Sequence, residues 1–489
     1  MSLKNLQERL AEMPMLKLLP AVVAGILVQE ALLVPMWGVV ALALLCGVGA
    51  ILLHRSYLLL LFAASVGYLS ASLQAKPTPF PIGHNISFVA VVTDDSTPRT
   101  RTNRTEARIE RWQDPLSGET YRCDATVWLY TDTLTTLTGG ERLLITERVR
   151  PINYGSAQFR TLMRQRGLIG SCFLTHHNVE RLDTPKHPSL HVRASRLMQR
   201  RLKEESERAA VVSAMTVGNR NRLSASLRED YARSGTAHLL AVSGLHTGIL
   251  FLWVNLALWW LPLFRHGHRL RNLVAIAAVW LFVAAAGFPI SAVRAAVMCT
   301  LLQWALFTSS HYRATNSWAA AALILLLMHP SWLFDVSFQL SFVAVGGLLV
   351  WGVPLCRKLH TPYRLLNGLL DALCISLVAS LVTAPLTSYH FGLFSLVGLL
   401  LNPLMILLGS GIVAIGVALL LLPPLAPLLR PLVLMLAEWQ NALAAWGATQ
   451  AGWVVEYRLA NELVIAFYLI LLLLTLTAWC WDRKKGVHL

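Results

Sequence analysis

Three residues in the stretch "HLLAVSGLHTGIL" have side chains of the kind that can take part in catalysis: His238, Ser243 and His246. A serine beside a histidine could act as a nucleophile with its general base. On a helix, however, Ser243 and His246 lie three residues apart, a spacing that rarely allows in-line proton transfer. The motif also holds no carboxylate to orient the imidazole. A polar lining, or hydrogen bonds that join two helices, are the other interpretations.

Polar residues interrupt apolar sequence further along the chain as well. They are Arg294 in "GFPISAVRAAVM", Asp335, Gln339 and Ser341 in "PSWLFDVSFQLSFVAVGGL", and Asn402 in "LVGLLLNPLMI". Ionisable and amide groups are costly inside a bilayer unless they face a cavity or a partner. With His238, Ser243, Gly244 and His246, these residues are candidates for the lining of a path through a membrane.

Each of these later residues also has a purely structural interpretation. Arg294 could extend to a nearby membrane interface, and Asp335 could cap the helix that follows it. Gln339 and Ser341 could hydrogen-bond between helices. The proline after Asn402 is expected to break a helix at that point.

Composition defines the setting of these residues. Of the 489 residues, 55% are hydrophobic and only 14% are charged, whereas a soluble domain is nearer a quarter charged. Apolar runs long enough to cross a bilayer recur, and they predict a polytopic α-helical membrane protein with about twelve transmembrane helices. The net charge of +16 has two explanations: Lys and Arg in cytoplasmic loops, or an anionic partner such as nucleic acid.

Four regions follow one another along the chain. Residues 1–77 are predicted to form N-terminal transmembrane helices. Residues 78–187 read as strands and turns, as in "CDATVWLYTD", and predict an inserted extracytoplasmic β-barrel of the OB type. Residues 188–233 predict basic, amphipathic helices, and residues 234–489 the remaining membrane helices. Basic connectors predict cytoplasmic termini.

The predicted β-domain contains a candidate nucleic-acid surface in "PRTRTNRTEARIERW". Arginines that alternate with an aromatic residue suit binding of a single strand. The candidates are Arg99, Arg101, Arg104, Arg108, Arg111 and Trp112. An ordinary solvated hairpin is the alternative interpretation.

Two of the seven cysteines, Cys123 and Cys172, fall in the β-domain. An oxidising compartment would permit a disulfide between them, and two unpaired buried thiols are the alternative. The sequence predicts neither a metal site nor a cofactor.

Four motifs in order resemble the ComEC competence family: "GTAHLLAVSGLH", "PISAVRA", "FDVSFQLSFVAVGGL" and "YHFGLFSLVGLLLNPL". The stretch "FRTLMRQRGLIGSCFL" is similar to the end of the OB-type domain of that family. The resemblance implies a multi-pass channel of the bacterial inner membrane that moves single-stranded DNA into the cytoplasm during natural transformation, with no enzymatic activity. The implied partners are lipids, a periplasmic DNA-receptor protein and a cytoplasmic ATP-driven translocase.

The chain also departs from the pattern of that family. Many members continue into a domain of the metallo-β-lactamase type, whereas this sequence reads "CWDRKKGVHL" at that point and contains no His-x-His-x-Asp-His cluster. A separate nuclease could therefore degrade the other strand, or that strand could be degraded elsewhere. An intramembrane serine protease that uses Ser243 and a small-solute secondary transporter are the competing functions.

Overall fold

Three apolar helices open the described part of the protein: α1 (Pro14–Ala31), α2 (Met36–Leu53) and α3 (Ser56–Gln74). Each is long enough to cross a bilayer. The computed structural model describes residues 13–482 apart from residues 33, 75–79, 100, 154–159, 161–162, 164–166, 176, 183–187 and 308–312. The predicted boundary near 187 and much of the family-like stretch from residue 159 lie outside the described residues.

Small residues let α1 and α3 pack closely. A Cβ on Gly25 would lie 1.9 Å from the carbonyl oxygen of Ala64, and a Cβ on Gly67 would lie 2.4 Å from that of Val22. Such close approach is typical of membrane helices, which associate through small side chains rather than through the hydrophobic effect.

A β-sheet domain follows the first three helices, as expected. Its strands are β1 (Asn85–Val92), β2 (Thr97–Pro98), β3 (Asn103–Gln113), β4 (Thr120–Thr131), β5 (Arg142–Arg148), β6 (Leu168–Phe173) and β7 (Val179–Arg181). The strand order is β6-β4-β3-β1-β5-β7, with β2 on β3. Among the described strands, only β4 and β6 pair in parallel. An antiparallel bridge between Arg150 and Ser171 connects the chain after β5 to β6, and the sheet is not a closed barrel within the described residues.

The expected disulfide between Cys123 and Cys172 is wrong, because both cysteines are free and buried. In the parallel pair, Cys172 lies opposite Leu129 of β4. Cys123 precedes Leu129 by six residues on that strand, so the two positions lie about 20 Å apart. A disulfide needs Cα atoms within about 7 Å. Burial raises the pKa of the Cys123 thiol to about 11 and that of Cys172 to about 12.

Three helices lead from the sheet domain back to the membrane helices: α4 (Leu190–Leu202), α5 (Glu207–Val217) and α6 (Ala225–Arg233). Each begins at a serine whose side chain accepts a backbone N–H of the first turn: Ser189, Ser206 and Ser224. Serine caps satisfy N–H groups that would otherwise lack partners. Every residue of α5 from Ala209 to Val217 is buried.

The sheet domain contacts α4 through the two aspartates that follow β1. Arg196 Nη2 donates to Asp95 Oδ1 at 3.1 Å, and His191 Nε2 lies 3.9 Å from Asp94 Oδ2. The other ring nitrogen, His191 Nδ1, lies 3.0 Å from the carbonyl oxygen of Ala285. Burial alone would lower the pKa of His191, but its contacts with Asp94 and Ala285 outweigh burial and raise that pKa.

The remaining helices are apolar and mostly long. They are α7 (Gly244–Ala257), α8 (Gly267–Ala285), α9 (Ile290–Phe307), α10 (Ala314–Met328), α11 (Val336–Gly347), α12 (Val353–Leu359), α13 (Arg364–Phe391), α14 (Val397–Leu421), α15 (Ala426–Ala448) and α16 (Asn461–Asp482). A π turn at Leu348–Gly352 joins α11 to α12. Two short strands, β8 (Phe394–Ser395) and β9 (Val454–Val455), pair with each other.

Within the described residues, seven helical spans are long and apolar enough to cross a bilayer. They comprise α1, α2, α3, α8, α11 with α12, α13 and α14. Four shorter apolar helices accompany them, namely α7, α9, α10 and α16. The chain is therefore a helical membrane protein with an inserted sheet domain.

The predicted helix break after Asn402 is wrong, because α14 continues through Pro403. A proline leaves the carbonyl four residues earlier without its helical partner. That carbonyl belongs to Leu399, and Ser376 Oγ of α13 donates to it at 3.2 Å. A neighbouring helix thus satisfies the freed group, which is how membrane helices tolerate proline.

Candidate functional site

Five helices form a ring in which each contacts the next. α7 contacts α9, α9 contacts α11, α11 contacts α13, α13 contacts α14, and α14 contacts α7. We call these helices the five-helix ring. The motifs that carry the polar candidates of the membrane region lie on these helices or at their ends.

The first member of the ring, α7, begins in a capping box made by Ser243 and His246. The Ser243 hydroxyl accepts the His246 N–H, and His246 Nδ1 accepts the Ser243 N–H, both at 3.4 Å. Both side chains thus satisfy backbone groups at the start of the helix. His246 is fully buried, and its Nε2 has no partner among the described residues.

This geometry does not support a nucleophile. For Ser243 to act as a nucleophile, an imidazole nitrogen must accept its hydroxyl proton. Here Nδ1 faces the Ser243 N–H, and the hydroxyl oxygen accepts a backbone N–H. Gly244 lies against α9, where a Cβ would meet the Ala295 Cβ at an ordinary 3.4 Å.

Arg294 lies between α9 and α11, with only 3% of its surface exposed. Its Nη1 donates to the carbonyl oxygen of Ser337, and its guanidinium lies 5.8 and 5.7 Å from the ring centres of Phe338 and Phe342. Its Nε makes no hydrogen bond among the described residues. The guanidinium is therefore held between α9 and α11 by these contacts.

The structural interpretation of Asp335 is confirmed. Its carboxylate accepts the Ser337 N–H at 2.8 Å and the Phe338 N–H at 3.2 Å, and so caps α11. The carboxylate also lies within electrostatic range of the Arg294 guanidinium. One group thus anchors the helix and partly balances the buried cation.

Gln339 bridges two members of the ring. Its Nε2 donates to the carbonyl oxygen of Leu333 at 3.0 Å, and its Oε1 lies 3.2 Å from His390 Nε2 of α13. Ser341 lies one turn after Ser337 on the same helix and is half-buried. The interpretation of Gln339 as a link between helices is confirmed.

Asn402 is buried on α14, and its Oδ1 has no hydrogen bond among the described residues. His238 lies in a 3₁₀ turn at Ala237–Leu240, before α7, where its side chain is exposed while Leu239 and Leu240 are buried.

Unpartnered buried polar atoms recur in and beside the ring. Among the described residues they include His246 Nε2, Arg294 Nε, Gln303 Oε1, Ser395 Oγ and Asn402 Oδ1. Buried polar atoms nearly always bind protein or water, and a polar space of sufficient size holds ordered water. The chemistry available here is therefore hydration and hydrogen bonding.

One member of the candidate nucleic-acid surface of the sheet domain, Trp112, does not lie on the surface. Along β3 the burial pattern alternates, so Arg104 and Arg108 face outward while Trp112 is buried. Trp112 stacks on Tyr121 at 5.0 Å and meets Phe80 edge-on. Stacking of a base on Trp112 is thus wrong, because an irregularity between Ile109 and Arg111 turns this residue into the core.

The outward arginines are in part engaged with protein groups. Arg108 binds Asp124 through two hydrogen bonds of 2.6 and 2.8 Å. The Arg104 guanidinium lies 4.6 Å from the centre of the Trp128 ring. Arg99, Arg101 and Arg111 are exposed on the same domain.

Sequence reasoning missed a cleft of about 620 Å³ in the sheet domain. Arg148, Arg150, Asn153 and Ser171 line it, together with Pro151. The two arginines alternate in "ERVRPI" at the end of a strand, a pattern that places both on one side. Sequence reasoning also missed His390, whose partner Gln339 lies 51 residues away.

No cluster of three or more His, Cys, Asp or Glu side chains suited to a metal ion occurs within residues 13–482 as the structure describes them.

Comparison with known proteins places the chain in a family. The family model described as "Competence protein" matches residues 215–484, more than half of the chain. "ComE operon protein 3" of Bacillus subtilis is 31% identical over 196 residues, which cover 40% of this chain and 24% of the relative. "Recombination protein 2" of Haemophilus influenzae is 29% identical over 168 residues, which cover 33% of this chain and 21% of the relative.

The chain thus spans about a quarter of the length of the curated relatives it matches. No solved structure matches it. The matched region begins in α5 and runs past the end of α16, and so contains the whole five-helix ring. The chain belongs to the competence protein family.

Proposed function

We propose that the chain is an inner-membrane channel that carries single-stranded DNA into the cytoplasm during natural transformation, without enzymatic activity. The observation that carries this proposal is the five-helix ring with its unpartnered buried polar atoms. A polyanion that crosses about 30 Å of hydrocarbon needs a wet, polar route. Membership of the competence family supports DNA as the cargo.

The path would run between the ring helices, past His238, Ser243, His246, Arg294, Gln339, Ser341 and Asn402. Arg294 would supply weak phosphate attraction, because one partly engaged guanidinium binds a passing strand without holding it. Gly244 and Asp335 would act indirectly, through helix packing and capping.

The sheet domain, assigned to residues 78–187, would receive DNA on the periplasmic side as an OB-type domain. Its order β1-β3-β4-β6, with β5 on the other side of β1, supports this assignment. The parallel β4–β6 pair and the Arg150–Ser171 bridge are what an almost closed OB barrel would contain. The cleft with Arg148 and Arg150 offers the phosphate contacts.

Orientation follows from charge. Basic connectors at Arg265–Arg271 and Arg357–Arg364 would stay in the cytoplasm. Together with about twelve spans, counted with α15, this arrangement puts both termini in the cytoplasm. Residues 1–77 and 234–489 would form the membrane part, joined by the helices of 188–233. A periplasmic DNA receptor, an ATP-driven translocase and a separate nuclease would complete the pathway.

The test is uptake of labelled DNA in a competent strain that lacks this chain. We expect DNA to reach the periplasm but not the cytoplasm, and we expect the full chain to restore entry. Entry of labelled DNA into the cytoplasm of the deletion strain would contradict the proposal. A protease that uses Ser243 would instead be labelled by serine-hydrolase reagents, and a small-solute transporter would leave DNA entry unchanged.

A further inference from the structure

A pocket of about 430 Å³ opens where the turn between α4 and α5 meets the first turns of α15. Half of the residues that line it are apolar, namely Leu202, Pro427, Pro431, Leu434 and Met435, and the other half are charged. The pocket lies outside the five-helix ring, and the channel proposal assigns no role to it.

Two of the three cations in the pocket have no close partner among the described residues. Arg208 donates to Glu204 at 2.9 Å and to Glu438 at 3.0 Å, and so engages both carboxylates. The side chains of Lys203 and Arg430 make no hydrogen bond or ion pair with the described residues, although Arg430 acts on Glu204 at longer range. Three cations and two carboxylates leave the pocket one positive charge.

The surface beside the pocket is apolar and open. The turn from α14 into α15 exposes Leu421 by 70% and Leu428 by 69%, with Leu422 and Leu425 also exposed. Exposed leucines on a membrane helix face acyl chains rather than water. The pocket therefore combines cations with an adjoining surface that suits hydrocarbon.

We propose that this pocket binds the headgroup of one anionic phospholipid of the phosphatidylglycerol type. Lys203 and Arg430 would bind the phosphodiester oxygens through charge-assisted hydrogen bonds. The glycerol hydroxyls would reach Glu438, and the acyl chains would lie on the leucines beside the pocket. This inference does not depend on DNA transport.

Charge selects this lipid. A phosphodiester with an uncharged headgroup carries one negative charge, which balances the single excess cation. The ammonium of phosphatidylethanolamine would cancel that charge and leave the pocket unbalanced. A DNA strand gains affinity from several neutralised phosphates in a row, whereas this pocket offers cations for only one.

The test uses the full chain purified in detergent, with binding followed by native mass spectrometry and by thermal unfolding. We expect phosphatidylglycerol to bind about tenfold more tightly than phosphatidylethanolamine, and the double variant Lys203→Gln/Arg430→Gln to lose about tenfold in affinity. The matched control is Arg357→Gln/Lys358→Gln on α12, outside the pocket, which should bind as the unmodified chain. Glu438→Gln should bind more tightly, because it adds one net positive charge.

Three outcomes would overturn the proposal. The first is equal binding of phosphatidylglycerol by the double variant and the unmodified chain. The second is equal protection by free glycerol 3-phosphate, which would mean a soluble phosphate ligand. The third is a thymidine oligonucleotide that depends on Lys203 and Arg430 while the lipid does not, which would mean a nucleic-acid site.

Discussion

Arginine lies in opposite environments in the sheet domain and in the five-helix ring. On β3, Arg108 faces outward and binds Asp124, with side chains that are 64% and 71% exposed. On the ring helix α9, Arg294 is 3% exposed, and its Nε has no partner in the described part of the chain. An exposed pair contributes about 0–1 kcal/mol, whereas a charge at the centre of a membrane helix costs roughly 3 kcal/mol or more.

The comparison distinguishes polar side chains that face solvent from polar side chains that are buried and therefore need another explanation. The sheet domain resembles a soluble protein: alternate residues of β3 face a dry core and the others face solvent. The ring helices bury polar atoms of Arg294, His246 and Asn402 that have no partner among the described residues. Such atoms need water, a ligand or a conformational role to compensate for their burial.

The largest expected effect is that of Arg294→Leu. We expect transformation to fall roughly a hundredfold, because the path loses its buried cation. Thermal stability should stay equal or rise, since apolar replacement of a buried charge is often neutral or stabilising. Transformation frequency, normalised to membrane abundance, and the melting temperature are the measurements.

Arg108→Leu is the control for that experiment. It removes an exposed arginine and should leave transformation within a few-fold of normal, since exposed pairs contribute about 0–1 kcal/mol. Normal transformation by Arg294→Leu at normal abundance would erase the distinction between ring and sheet domain.

The second effect concerns the core of the sheet domain. Cys172→Ser should destabilise the chain by about 1–3 kcal/mol, because it buries a hydroxyl without a partner. A reductant should leave the melting temperature unchanged. The raised pKa values of about 11 and 12 predict that iodoacetamide at pH 8 labels Cys123 and Cys172 only after unfolding. A cross-linked Cys123–Cys172 peptide in a non-reduced digest would contradict this.

The third effect distinguishes two properties of His246. His246→Gln can still accept the Ser243 N–H and should keep most of the uptake. His246→Phe removes both that acceptor and the unpartnered Nε2. Loss of the acceptor should cost about 1 kcal/mol of stability, and uptake should fall about tenfold. Uptake by each variant is measured relative to folded protein. If His246→Phe transports as well as His246→Gln, polarity at this position has no part in passage.

The smallest effect is a pH dependence at the contact between the sheet domain and α4. The pKa of His191 is raised, so its contribution is complete below the ordinary histidine pKa and is lost as pH rises through the folded value. Burial would raise the pKa of Asp94, but its hydrogen bonds, with His191 foremost, lower it. The contribution of Asp94 is therefore lost only as pH falls through that lowered value.

The contact between the sheet domain and α4 should thus be strongest at pH values between the lowered pKa of Asp94 and the raised pKa of His191. The gain in stability from this contact should be at most about 1 kcal/mol. Limited proteolysis across pH should show a more easily released sheet domain at alkaline pH. His191→Gln should flatten that profile. A profile that keeps its alkaline rise in His191→Gln would assign the effect to another group.

Some predictions from local sequence patterns were correct, and others were wrong. The cap made by Asp335 was predictable, because an acidic residue directly before an apolar helix satisfies N–H groups whatever lies around it. The face of Trp112 was not, because one irregularity in β3 shifts the alternation of every later residue. The break after Asn402 failed for a tertiary reason: the hydroxyl that satisfies Leu399 belongs to Ser376 on another helix.

The amino-acid sequence by itself determined the class of protein, its membrane helices, the inserted sheet domain and its family, because hydrophobic length, strand alternation and ordered motifs are local properties of the chain. Only the tertiary structure decided which polar residues meet. Cys123 and Cys172 share a domain but lie six residues out of register, whereas Gln339 and His390, which are 51 residues apart, touch across two helices. Lys203 and Arg430 share a pocket for the same reason. Long-range packing sets these distances, and no pattern within a short window of sequence encodes them.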